Sequence, residues 1–362
     1  MALTINATDA ELTAPVNTIF QQTLLRNAKS RCPHYYGTQA ASLTQMRGTT
    51  TAHWRRITLN SNARGALTEQ TTTAAYMGGR SASTLQFAAP TATAAKYGNF
   101  VILNEEIQII NYDGQTDKIV EVLGIDAGDY LDTLQATFYS DNGNTIFAAA
   151  AASAGAVVSK ITANAVKNAV VTLDKNKALT FTPMSTGSQN FGTTQLMPGY
   201  VGICHPDVAV DICGLAGFKP FETYAGQVSG LLGEFGAMTV AGRTVRWISG
   251  HNSAVDADSG GLTGTTGLIS TTGTNIDLYY TSIYGRDAWG SLGFGSALPD
   301  GSYMAGDEIS AVEMISHGLD SGGTSDPYNE ISTLAYKFWW AAVELNPDWN
   351  RTIVSGATQL SS

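Results

Sequence analysis

The chain is short of charge. Only 14% of its 362 residues are Asp, Glu, Lys or Arg, and 20 basic residues face 30 acidic ones, for a net charge of −10. That balance argues against a stand-alone nucleic-acid binder, because an acidic surface repels the phosphate backbone it would have to grip. Cysteine is nearly absent: Cys32, Cys204 and Cys213 are an odd set with neither a disulfide framework nor zinc-ligand spacing. They read as small apolar residues in a reducing compartment. No run approaches the ~18 apolar residues of a membrane-spanning helix, and 148–158 is too short. The opening MALTINATDAELTAP has no basic region followed by an apolar one, so the expectation is a protein made in the cytoplasm and kept there.

Catalytic patterns are missing too. There is no GxxxxGK[ST] loop, no GxGxxG between strand and helix, no HExxH pair and no GxSxG elbow. The histidines His34, His53, His205, His251 and His317 are scattered without ligand spacing. Asp256, Asp258 and Gly260 imitate part of a calcium loop, but its twelfth position is Gly267, where a bidentate Glu is required. Glu105 and Glu106, adjacent on an expected strand, would point to opposite faces. Trp339 and Trp340 lie in so apolar a stretch that they read as core, not as a base-stacking platform. No cofactor and no enzymatic activity are expected.

What the chain has is glycine, 38 residues of it, with abundant Thr, Ser and Ala. Such a low-charge composition suits a surface covered by other chains. Its most ordered stretch is 98–148, an alternating strand (100–110) leading into one long helix. Apolar residues recur at Ile119, Val122, Leu123, Ala127, Tyr130, Leu131, Leu134 and Phe138, which predicts a helix over 116–139 capped by Thr116 and ended by Asn142 and Gly143. Asp117, Glu121, Asp129 and Asp132 fall on its polar side.

Around this helix the pattern is α+β. Residues 1–52 read as an extended arm with one helical candidate at 16–29. HWRRITL (53–59) and 84–87 read as the strands of a protruding hairpin with a polar, Gly-rich tip. A second helix is expected over 162–173, with Ala165, Val166, Ala169, Val170 and Leu173 inward. Further on come a buried strand (200–204), a short helix opened by His205-Pro206-Asp207, a hairpin (237–249), an exposed loop (252–273) and strands at 276–280 and 308–317. The most apolar strand is 334–345, filled on both faces and stopped by Pro347.

That order of elements resembles the major capsid proteins of tailed bacteriophages with the Hong Kong 97-type fold, and most nearly the branch typified by the coliphage N-four protein. Four segments carry the resemblance: RRITLNSNARGALTEQTT (55–72), KYGNFVILNEEI (96–107), GLLGEFGAMTVAGRTVRWIS (230–249) and SDPYNEISTLAYKFWWAAVELNPDWNRTIVSG (325–356). It implies an N-terminal arm (1–52), an extended loop (53–95) reaching over a neighbour, a peripheral domain (96–179 and 302–347) with a spine helix, and an axial domain (180–301 and 348–362). It further implies an icosahedral shell of hexamers and pentamers around double-stranded DNA, with portal, scaffolding and decoration proteins as possible partners, a virion location and no membrane. Candidate subunit-interface residues are Arg55, Arg56, Arg64, Glu69 and Arg80 on the loop, facing Asp117, Glu121, Asp129 and Asp132 on a neighbour's helix. An encapsulin-type nanocompartment and a Thr/Gly-rich tail or adhesin protein are the alternatives.

Overall fold

A computed structural model describes residues 32–43, 50–59, 85–106, 115–181, 196–224, 231, 233–264, 267–294, 312–319 and 326–360. In chain order the strands and helices are β1 (Gln39–Leu43), β2 (Thr51–His53), β3 (Arg56–Leu59), β4 (Leu85–Ala88), β5 (Thr91–Thr93), β6 (Ala95–Asn104), α1 (Gln115–Asn142), β7 (Thr145–Phe147), α2 (Ala163–Lys175), β8 (Gly199–Cys204), α3 (Pro206–Cys213), β9 (Phe218–Pro220), β10 (Glu234–Val240), β11 (Arg243–Ser249), β12 (Val255–Asp256), β13 (Leu278–Tyr284), β14 (Trp289–Phe294), β15 (Glu313–His317), β16 (Ile331–Glu344) and β17 (Asn350–Ser355). The helical candidate at 16–29 and the hairpin tip lie outside the described residues; Thr116, expected as the cap, falls inside α1, which already includes Gln115.

The 14 residues of β16 organise the smaller sheet, pairing with β6, β15 and β14, while β1 runs parallel to β14. Its apolar residues change face midway. Leu334, Tyr336 and Phe338 pack on α1, whereas Ala341, Val343 and Leu345 pack beneath Ala52, Ala92 and Ala94 of the hairpin root. A strand that buries opposite faces in its two halves reads as apolar throughout.

Helix α1, about 42 Å long at 1.5 Å per residue, buries a stripe rotated from the expected one. Val120, Leu123, Ala127, Leu131, Ala136 and Tyr139 are inside, whereas Val122 is 62% and Tyr130 38% exposed. The stripe includes Gly124 and Gly128, where a second piece of chain lies close enough for the Cys32 thiol to reach the Gly128 carbonyl at 3.3 Å. It also includes Gln135, whose Oε1 accepts from the Trp340 indole at 3.3 Å, and Asp132. Large apolar side chains alone therefore misplace the face by about one residue.

The larger sheet runs β7-β17-β13-β8-β11-β10-β9, with β12 on β13. Every residue of β8 is buried. One face carries α2, whose Ala165, Val166, Ala169, Val170 and Leu173 meet Tyr200, Met238, Val245 and Trp247. Thr162 caps α2 by accepting from the Ala165 amide at 3.3 Å, as a helix start requires. The other face receives the end of α1, where Tyr139 stacks on Trp289 with ring centroids 4.7 Å apart. Between β10 and β11 the chain turns through Ala241 (φ 48°) and Gly242 (φ 80°), the left-handed pair of a tight hairpin. Met238 lies opposite Val245 as expected; Trp247 lies opposite Gly236 and Val240 opposite Arg243.

Sheet membership crosses the expected domain limits. β7 and α2, within 96–179, belong with the larger sheet, and β14, within 180–301, belongs with the smaller. The expected loop at 252–273 is in part a tied cap over the start of β13. Asp277 (4% exposed) accepts from the Asp258 amide at 2.9 Å, the Thr271 amide at 3.1 Å and the Thr271 hydroxyl at 2.9 Å. The strand expected at 100–110 runs instead from Ala95 to Asn104, so Glu105 and Glu106 lie beyond it. Cys32 and Cys204 are buried as expected, but Cys213 is exposed at the end of α3.

Candidate assembly surfaces

The hairpin is built in two stages. β2 pairs with β5 at its root, against the smaller sheet, and β3 pairs with β4 beyond a break at Trp54 and Arg55. Strand alternation then decides what the outer ribbon presents. Ile57 lies directly opposite Phe87, so both project from one face, and Leu85, two residues from Phe87, shares it. All three remain open to solvent: Ile57 is 58%, Leu85 57% and Phe87 66% exposed. Arg56, Thr58 and Gln86 occupy the alternate positions.

A second apolar face lies on the smaller sheet, opposite α1. Phe100 and Ile102 pair with Ala335 and Thr333 and project away from the helix; Ile331 shares their side of β16. Phe100 is 61%, Ile102 57% and Ile331 43% exposed. Two apolar faces left exposed among the described residues are the usual mark of interaction sites.

The charged residues expected to make contact are arranged differently. Arg55 is exposed, but Arg56 donates through Nη1 to Asn346 Oδ1 at 2.7 Å and to the Leu345 carbonyl at 3.3 Å, clamping the hairpin to the end of β16 of its own chain. Beside this clamp, burial raises Glu344 above the ordinary carboxylate range. The Asn350 amide, at 2.6 Å, and the charges of Arg56 and Arg351 oppose that rise. Glu121 is exposed and Asp129 half-buried, while Asp132 has no exposure and binds inside the subunit, so it is no part of an outer acidic face. Arg64, Glu69, Arg80 and the side chain of Asp117 lie outside the described residues. Sequence reasoning passed over Ile57, Leu85, Phe87, Phe100 and Ile102. The signal for the first was present in the alternation of Arg56-Ile57-Thr58-Leu59.

A buried ion pair helps hold the larger sheet. Arg246 donates to both oxygens of Glu234, at 2.8 and 2.6 Å, and the Tyr224 hydroxyl donates to Glu234 Oε1 at 2.8 Å. Burial, and then the carboxylate beside it, push the Tyr224 phenol well above its ordinary range. His205 caps α3 by accepting from the Asp207 amide at 3.3 Å, which makes it the turn residue the sequence indicated. Among the described residues no group of three or more His, Cys, Asp or Glu could hold a metal ion, and no helix is long and apolar enough to cross a membrane.

No family model and no curated protein matches this sequence. Solved structures do. A chain of the capsid of Ralstonia phage GP4 superposes with a TM-score of 0.60 at 11% identity, over 92% of each chain. The capsid of Cyanophage P-SCSP1u gives 0.51 at 12% identity, covering 89% of this chain and 87% of that one. The acidic stable capsid of Helicobacter pylori bacteriophage KHP30 gives 0.50 at 10%, covering 88% and 87%. At these identities the likeness is one of fold. This chain has the mixed helix and strand fold of phage capsid chains, over nearly its whole length.

Proposed function

We propose that this chain is the major capsid protein of a tailed double-stranded DNA bacteriophage and assembles with copies of itself into the icosahedral head. What carries the reading is the likeness to the GP4 capsid chain over 92% of each chain, together with a projecting ribbon whose apolar face has no partner among the described residues. Its role is structural and not enzymatic, and its place is the virion. Within this reading the fold is of the Hong Kong 97 type: the ribbon is the extended loop, α1 the spine of the peripheral domain, and the larger sheet the axial domain around the symmetry axes. The four quoted segments favour the N-four branch. Portal, scaffolding and decoration proteins are its expected further partners.

The assembly chemistry follows from the two apolar faces. Ile57, Leu85 and Phe87 of one copy dock on Phe100, Ile102 and Ile331 of the next, removing both from water; repetition around a closed shell multiplies a modest contact. Arg55 stays at the rim of that contact and steers it. The net charge of −10 suits a container that holds DNA without binding it.

Negative-stain microscopy of the expressed protein tests the reading. Closed shells, or rings of six and five copies in the sense of hexamers and pentamers, are the expected result. A strictly monomeric protein, even with a scaffolding partner present, refutes it. Shells purified with a cargo protein in place of nucleic acid would move the assignment to a nanocompartment.

A further inference from the structure

Residues 32–38 lie as a strap in the seam between α1 and the larger sheet, and a buried relay fastens them there. The His34 amide donates to Asp132 Oδ1 at 2.9 Å. Its ring Nδ1 lies 2.9 Å from Asp132 Oδ2, and its Nε2 lies 3.1 Å from Ser253 Oγ. Exposures are 3% for His34, 0% for Asp132 and 6% for Ser253. The carboxylate takes Nδ1 as its partner, and the serine hydroxyl, which can donate or accept, satisfies Nε2 in either state of the ring. The Asn252 amide also donates to Asp132 Oδ2, at 3.3 Å.

The strap is fastened along its length. Cys32 reaches the Gly128 carbonyl at 3.3 Å, the Tyr139 hydroxyl donates to the His34 carbonyl at 2.8 Å, and the Tyr284 hydroxyl donates to the Tyr36 carbonyl at 2.8 Å. Thr38 pairs with Ser291 at 3.1 Å. These partners belong to α1, the turn after β11, β13 and β14, so one short segment joins the helix to both sheets. The fit has a requirement in the sequence: a Cβ at Gly250 would stand 2.6 Å from His34 Cε1, so the turn must present bare backbone to the ring.

Serine, histidine and aspartate stand in the order of a nucleophilic relay. Here, however, Ser253 faces the strap and is closed off by it, so no substrate carbonyl reaches its oxygen while the strap is in place. We infer that His34, Asp132 and Ser253 form an internal lock that fixes the smaller sheet and its helix against the larger sheet. The lock stands on the subunit's own geometry and holds whether or not the chain builds a shell.

Hydrogen exchange read by mass spectrometry on the full chain tests it, comparing wild type with Ser253→Ala in the same assembly state. Removing the hydroxyl leaves Nε2 buried and unpaired. Exchange should quicken by roughly tenfold in the strap and in the turn 250–253, while β8 and β13 keep wild-type protection. Ser253→Thr, which restores a hydroxyl, should return exchange toward wild type. If Ser253→Ala does not fold, Asn252→Ala takes its place and should loosen the same two segments to a smaller extent. Unchanged exchange in the strap overturns the lock, as does a uniform rise across the whole chain. Labelling of Ser253 in the wild type by a fluorophosphonate probe would also overturn it, by showing a reachable nucleophile.

Discussion

Substituting Phe87 with aspartate separates the proposed docking face from the stability of the subunit that carries it. Phe87 is already 66% exposed, so within the subunit the change removes little more than its cross-strand contact with Ile57. Such a pair is worth up to about 1 kcal/mol. Fully burying a phenylalanine side chain gains about 1.5–3 kcal/mol, of which roughly two-thirds is still to be realised on docking, or about 1–2 kcal/mol. An aspartate at that place must also be stripped of water without a partner, at about 1–3 kcal/mol. The sum, about 2–5 kcal/mol per docked ribbon, lowers the association constant by roughly 30-fold or more. Sedimentation of shells against protein concentration reads that shift directly, and circular dichroism with a thermal melt reads the subunit. The expected outcome is a native spectrum, a melting point within about 4 °C of wild type and shells only at much higher concentration. Shells at the wild-type threshold would refute the docking face. A collapsed melting point would show that Phe87 supports its own subunit instead.

Arg55 and Arg56 should behave differently. Arg55→Glu should leave the melting point unchanged and slow assembly in a salt-dependent way, whereas Arg56→Glu breaks the clamp on Asn346 and Leu345 and should lower subunit stability by about 1–2 kcal/mol; identical melts would contradict the clamp. Glu234→Ala takes both carboxylate contacts from the buried Arg246 and should cost about 3–5 kcal/mol, while replacing both by apolar residues of similar volume should cost far less, as chemical denaturation would measure. Burial, ahead of the neighbouring His251 charge, holds His205 below its ordinary 6.5, against the pull of Asp207. Protonation therefore opposes folding: the stability His205 contributes is present above pH 6.5 and is lost as pH falls toward its lowered value in the folded chain. His205→Gln should flatten that slope in melts taken between neutral and acid pH.

Much of the fold was legible where one periodicity acted alone. The buried residues of α2 are the five that its spacing indicates, because the helix lies on a single sheet face. The turn at Ala241 and Gly242 was legible from its own two residues, and the run of 334–345 from its apolar content, although that content hides a change of buried face midway. The face of α1 was not, since Gly124 and Gly128 contribute to a core by being small. Asp132 was misread for the complementary reason. A carboxylate on a helix is ordinarily a solvated group, and it is the arrival of His34, 98 residues away, together with the Asn252 amide, that supplies the donors that let it be buried. Nothing in the helix's own sequence announces those donors.

The same distinction explains why the assembly surface was sought among charges. Arginines beside a polar loop and aspartates along a helix suggest attraction, and at the level of sequence they are the conspicuous groups. In the folded chain Arg56 and Asp132 are consumed by internal bonds, and the exposed pairs left over would be worth about 0–1 kcal/mol each in salt. The apolar positions of the ribbon carry more, yet they look unremarkable because a strand of four residues needs no more than two of them. Their significance comes from register: Ile57 opposite Phe87 makes a continuous face, and no element of the described subunit covers it. A face that the described fold builds and leaves open is a feature of pairing across 30 residues, and it is where the proposed assembly would seat a second copy of this chain.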